Sequence, residues 1–253
     1  MRKSVLSCSF VVLGVLFFSG AAWAFESVSV DVTADFNSKY IWRGQVINDD
    51  YAFQPGIGVT LDSLTLGIWG SLDLTDYTGN NSEFIEYDYY ADYTTSIAEG
   101  IDLSVGVINY YFPSAEDTTE VYCGFAFDLP LSPSVTAYFD VDDVKGTYVS
   151  FGVGHSFEKI AELSSDMPIG MELGASLGWG SKSYNKAYWG APATSSALND
   201  LALSVAFPVG LGNWTVSPSF NYVTLVDNDV RKSDSFDKSS DYFFTGISLS
   251  TSF

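Results

Sequence analysis

Carboxylates recur at intervals of two and four along this chain. Asp31 and Asp35 stand four apart, Glu86, Asp88 and Asp92 form a two-then-four series, and Asp140 and Asp142 stand two apart. In an extended chain such positions share a face. Each set therefore makes an acidic edge, joined from other segments by Asp102, Glu120 and Glu172. The positions between the acids of the first series, Val28, Val30, Val32, Ala34 and Phe36, are apolar. Carboxylates at this density are costly against hydrocarbon and must line water, protein or bound ions, where they favour cations. The bland alternative is a solvated polar interior with no selected permeant. Bases to answer the acids are few: Lys39, Arg43 and Lys145. Arg43 is expected to fold inward over the acidic wall. The candidate pore-lining set is Asp31, Asp35, Arg43, Glu86, Asp88, Asp92 and Asp140.

Other chemistry finds little support. The single histidine, His155, shares an apolar face with Val149, Phe151, Val153 and Phe157, and a catalytic base needs a positioned partner that is not evident there. No catalytic residue is assigned and no enzyme is expected. Cys123 falls among Val121, Phe125 and Phe127, where it reads as a small hydrophobe. Beyond residue 24 the chain has one His and one Cys, too few for a transition-metal site. Asn48-Asp49-Asp50 and Asp227-Asn228-Asp229 offer oxygen donors of the kind calcium or magnesium takes, but without the spacing of a dedicated loop they read as solvated turns. No metal and no cofactor is expected.

The elements that must carry these residues are strands. Period-two alternation dominates beyond residue 25. It fits 28–36, 64–72, 85–93, 101–107, 121–127, 135–141, 149–157, 169–179, 201–207, 214–222 and 243–253, and more weakly 53–61. These twelve segments are close to the length that crosses a membrane when tilted. Connections alternate in length. Those at 62–63, 96–100, 129–133 and 208–212 are short, while 37–52, 73–82, 180–197 and 225–240 are long and polar. Two break the pattern: 142–146 is short where a long loop is due, and 158–167 is long where a turn is due. Aromatic residues at segment ends, among them Tyr40, Trp42, Trp69, Tyr110, Tyr111, Phe112, Trp179, Tyr184, Tyr188, Trp189, Tyr242 and Phe243, match interfacial girdles. Ser150, Gly152, Gly154, Gly174, Ser176, Gly178 and Ser204 leave room on the polar face of later segments, though inward-folded loops could plug it.

The expected fold is all-β, a closed antiparallel transmembrane β-barrel of about twelve strands with both termini periplasmic, since lipid offers no partner for an open sheet edge. The last segment, 241–253, must then pair with 28–36, and Phe253 resembles the terminal aromatic read by barrel-assembly machinery. Residues 1–24 read as a cleaved signal peptide, with Arg2 and Lys3 ahead of an apolar run and Ala22-Trp23-Ala24 behind it. Residues 25–253 form one barrel domain. Cys8 precedes the apolar run, against a lipoprotein attachment, and only Cys123 remains afterwards, so no intramolecular disulfide can form. A formal charge of −20, made more negative by losing Arg2 and Lys3, repels nucleic acid and anionic headgroups. The expected location is the cell outer membrane. The rival fold is a soluble β-sandwich, whose alternation looks the same.

Several segments are similar to a known family. Ser38-Lys39-Tyr40-Ile41-Trp42-Arg43-Gly44, then Asp49-Asp50-Tyr51-Ala52-Phe53-Gln54-Pro55-Gly56, resembles the opening of the TorF-type porins. Ile68-Trp69-Gly70-Ser71, Glu86-Tyr87-Asp88, the run from Gly106-Val107 to Phe112-Pro113, and Glu120-Val121-Tyr122 extend the likeness over roughly 30–157. Pro55-Gly56 departs from the usual Gly-Gly. The resemblance implies an outer-membrane barrel of porin function with no catalytic residues to carry over. Together with the acidic face it gives the expected function: passive diffusion of small cationic or neutral solutes, with outer-membrane lipid and the assembly machinery as partners. The alternatives are a non-conducting structural or ligand-binding surface barrel and an enzyme acting on envelope lipid.

Overall fold

The structure is a computed structural model that describes residues 25–79, 82–142, 144–165, 167–233 and 239–253. The signal segment 1–24 lies outside them. Along the chain run β1 (Val28–Asn37), β2 (Tyr40–Trp42), β3 (Gln45–Asn48), β4 (Ala52–Leu61), β5 (Leu64–Asp73) and β6 (Phe84–Ala98). There follow β7 (Ile101–Tyr111), β8 (Thr118–Phe127), β9 (Ser134–Asp140), β10 (Thr147–Ser164) and β11 (Met167–Gly180). After helix α1 (Lys182–Tyr188) come β12 (Ala197–Ala206), β13 (Val209–Leu211) and β14 (Trp214–Leu225), then α2 (Asn228–Arg231) and β15 (Asp241–Ser252).

The strands close into a barrel. Each wall strand pairs antiparallel with its sequence neighbours, β10 pairs with β11, and β1 pairs with both β4 and β15, so no wall edge is left open. Ser252 lies against Asp31, and Val30 and Phe253 exchange backbone hydrogen bonds at 3.0 Å, which seals the seam and puts the start of β1 and the end of β15 at one rim. β12 and β13 both pair with β11 and β14, and so form one stave broken at Phe207-Pro208. Counted so, the wall has twelve strands. Strands β2 and β3 form a separate two-stranded sheet that takes no part in the pairing of this ring.

Burial is inverted relative to a soluble sandwich. Large apolar side chains point outward on strand after strand: Val105, Val107, Val121, Phe125, Phe151, Val153, Leu173, Leu203, Phe220 and Ile247 are exposed. Buried residues include Gln54, Ser71, Glu86, Glu120 and Asp140. Water would not tolerate so continuous an apolar belt, whereas lipid requires it. A charge placed on that belt should be costly. Leu203→Arg is expected to lose about 2–4 kcal/mol of stability in lipid vesicles, while Ser204→Arg, one residue along and facing the interior, should lose much less. Urea titration of vesicle-folded protein measures both; equal losses would sink the assignment of faces.

The structure corrects several expectations. The segment 158–167 is not a loop: β10 runs on to Ser164 and meets β11 from Met167, with register shifts between Phe157 and Ala161 and between Glu162 and Ser164. Those shifts break the period-two pattern, and exposure on both faces removes the apolar marker. The expected turn at 208–212 contains β13, because Pro208 interrupts the stave without ending it. The aromatic girdle divides. Tyr111 and Phe243 are exposed, but Tyr40, Tyr110, Tyr184, Trp189 and Tyr242 are buried. Their carriers fold inward, and the Tyr110 phenol donates to Glu120 at 2.9 Å inside the barrel.

Candidate functional site

The long connection after β1 turns back into the barrel as the β2–β3 hairpin. Trp42 pairs with Gln45, leaving Arg43 and Gly44 as a two-residue turn. Their φ values are 47° and 82°, the positive pair that a tight hairpin turn of this kind needs at both central positions. Glycine takes such a φ freely, but arginine does so only at a cost of about 1–2 kcal/mol. Something on the far side must hold Arg43 there. The hairpin is enclosed throughout, with Tyr40, Gln45, Val46 and Asn48 all buried, and Lys39 pairs with Asp49 across its base.

The far side is β8, β9 and β10. Counting around the ring, β9 stands opposite β1. Arg43 donates from Nη1 to Glu120 Oε1 and from Nη2 to Glu120 Oε2, both at 2.8 Å, a bidentate fork on a carboxylate that also accepts from the Tyr110 hydroxyl at 2.9 Å. Its guanidinium carbon lies 4.5 Å from the centre of the Trp42 ring, 4.3 Å from Tyr138 and 4.4 Å from Tyr148. Burial opposes the charge, yet the Tyr184 phenol and the Glu120 carboxylate outweigh it and hold the guanidinium above its ordinary range. The turn is thereby latched across the full width of the lumen.

Helix α1 supports the latch from the loop side. Ser181 caps it, accepting from the Tyr184 backbone N–H at 3.3 Å. Asn185 donates to the carbonyls of Gly180 and Ser195, tying the helix back to the barrel rim. Gly146 allows the close approach: a side chain there would meet the Tyr184 backbone at 2.7 Å. Tyr184 is fully buried, which pushes its phenol well above the ordinary value, and its ring lies 5.3 Å from Tyr148 and 4.5 Å from Tyr188. Below the hairpin, Tyr148 donates to Asp200 at 3.0 Å, and a cavity of about 230 Å³ opens between Arg43, Tyr138, Asp200 and the small residues Ser150, Ser176 and Ala202. A second space of about 550 Å³ is lined by Gly154, Gly174 and Ser204.

The sequence-derived residues divide among three settings. Arg43 is the latch. Glu86 is buried and Asp88 has a buried oxygen without a hydrogen-bond partner; both stand near Tyr40, whose phenol is pushed well above its ordinary value first by burial and then by these two carboxylates. Asp35 also has a buried unpartnered oxygen. Asp31 is exposed beside the end of β15, and Asp92 accepts from Tyr122 and Thr94 at 2.6 and 2.7 Å. Asp140 is engaged in a turn: it accepts from the backbone N–H groups of Asp142, Val144 and Lys145, which explains why the 141–146 connection stays short. His155 lies on the outer part of β10 edge-on to Phe157, and among the described residues no three His, Cys, Asp or Glu side chains are grouped to hold a metal. Sequence reasoning passed over Asp200, Tyr138, Tyr148 and the inward role of Tyr184.

A closed twelve-strand antiparallel barrel with an apolar exterior and a polar, acid-bearing interior defines an outer-membrane type of β-barrel. The chain belongs to the family described as bacterial protein of unknown function (Gcw_chp), whose model matches residues 21–210. None of the curated proteins matches the sequence. Among solved structures, the KdgM porin in complex with disordered oligogalacturonate is similar at 12% identity and a TM-score of 0.52, covering 89% of this chain and 99% of its own. LpxR from Salmonella typhimurium is similar at 10% identity and 0.50, covering 88% and 99%. At such identity the likeness is one of fold.

Proposed function

We propose that the protein is an outer-membrane channel for the passive diffusion of small solutes, with a preference for cations, whose lumen is narrowed by the latched β2–β3 hairpin. The observation that carries this reading is the interior itself: a continuous wall places carboxylates and small polar residues around open space, and the hairpin that narrows it is a separate two-stranded sheet whose tip is held by the Arg43–Glu120 pair. The KdgM porin offers the same fold, and the resemblance of the 38–44 and 49–56 segments to TorF-type porins points the same way. On this reading both termini are periplasmic and 241–253 carries the assembly signal. The second reading, a non-conducting ligand-binding barrel, draws on the completeness of the latch.

Planar bilayers separate the two. Purified protein should give discrete conductance steps, with a reversal potential in a salt gradient that shows cation preference. Bilayers that stay silent with both the wild type and a latch-free variant would remove the channel reading. Asp31→Asn combined with Asp92→Asn should lower the cation preference while leaving the step size similar, because both carboxylates lie away from the hairpin. Co-fractionation with outer membrane and heat-modifiable migration on a gel test the location.

A further inference from the structure

Beside the latch, at the end that bears the long loops, a cavity of about 300 Å³ opens between the hairpin and the rim of the wall. Its walls are mainly aromatic: Tyr40 and Trp42 from the hairpin, Tyr110 from β7 and Tyr188 from α1. The Trp42 ring stands edge-on to Tyr110 at 5.9 Å and to Tyr188 at 5.4 Å. Glu86, 4% exposed, and Glu116 bring carboxylates to it, and no lysine or arginine lines it. Arg43 stacks on Trp42, but its charge is answered by the Glu120 fork, which lies outside the cavity lining.

Gln45 adds a second, independent sign. It lines the same cavity, is 1% exposed, and its amide nitrogen has no hydrogen-bond partner. A buried donor left unmade is costly, and native structures seldom leave one without cause. An acceptor atom on a bound molecule would satisfy it.

We propose that this cavity binds a small organic ammonium compound, its cationic head against the rings and Glu86, and an oxygen of the ligand accepting from the Gln45 amide. Ring faces attract such cations through their quadrupole, and desolvation strengthens the attraction. A bare metal ion would want a shell of oxygens that these walls do not supply. A neutral sugar could stack on the rings but would leave the carboxylate charge unanswered. The inference deepens the channel reading and rests on it only for placing the cavity on a solute's route.

The test titrates the full folded chain in detergent with choline by calorimetry. The controls are 3,3-dimethylbutan-1-ol, which has choline's shape without its charge, and tetramethylammonium, which has the charge without the hydroxyl. Choline should bind saturably, and the uncharged isostere should bind weaker by roughly tenfold or more. Glu86→Gln should weaken both cations, while Gln45→Leu should bring choline down to the level of tetramethylammonium; heat-modifiable migration confirms that each variant has folded. Equal binding of choline and its neutral isostere, no binding of choline, or choline affinity unchanged in both folded variants would overturn the proposal. A protein that conducts in bilayers without binding choline loses this inference and keeps the channel; one that binds choline in a silent bilayer does the reverse.

Discussion

Arg43→Ala should raise single-channel conductance sharply and strengthen cation preference. In the wild type the guanidinium holds a turn whose backbone is strained at Arg43 itself, with φ at 47°. Glu120, 1% exposed at its side chain, is matched by both guanidinium nitrogens. Removing one partner of so buried a pair typically costs about 3–5 kcal/mol, because the other charge is left without compensation. Here the cost need not unfold the protein. The wall has its own ladder of hydrogen bonds, whereas the hairpin is a separate two-stranded sheet. The cheaper response is for the hairpin to leave and for water to reach Glu120. A latch weakened by that amount shifts a closed-to-open equilibrium by roughly a hundredfold or more. Conductance and ion selectivity unchanged from the wild type would defeat the latch.

The barrel was legible because its wall obeys one rule. Period-two alternation runs through most of the wall, and the apolar residues it selects, such as Val121, Phe151 and Leu203, are those that the structure exposes on the outer face. Legibility failed where the rule is interrupted. From Glu158 to Ser164 bulges shift the register and no face is buried, so a strand looks like a loop. At Pro208 a missing N–H looks like a turn, although the neighbours keep pairing on both sides.

The site was half legible for a different reason. Scarcity of basic residues drew attention to Arg43, and its inward fold follows from charge alone. Its partner could not be singled out, because Glu120 is one of several acids on the same face and only the three-dimensional reach of the hairpin selects it. Tyr40, Tyr110 and Tyr184 carry the composition of an interfacial girdle, and nothing local distinguishes a ring that meets headgroups from one that lines a lumen. Asp200 stands one residue before the predicted start of its strand. The structure begins β12 at Ala197, which brings Asp200 into the wall and under Tyr148.

Gly44→Ala gives the second large expected effect, and it separates a mechanical latch from a fixed charge. At φ 82° a Cβ would meet Asp200 Cβ at 2.9 Å and Leu225 Cδ2 at 2.7 Å. The leucine methyl can swing aside, but Asp200 Cβ is tied to a wall strand and cannot. Left-handed strain adds about 1–2 kcal/mol, and overpacking adds about 1–3 kcal/mol more. The hairpin should therefore be expelled without any change of charge, with conductance rising roughly tenfold or more. Cation preference should stay closer to wild type than in Arg43→Ala, because the guanidinium remains in the protein. In the double variant the second substitution should add little, since both act on one two-state element and their effects cannot sum once it is open. If Gly44→Ala instead conducts like wild type while Arg43→Ala opens the pore, Arg43 acts as a charge within the pathway and the hairpin does not move.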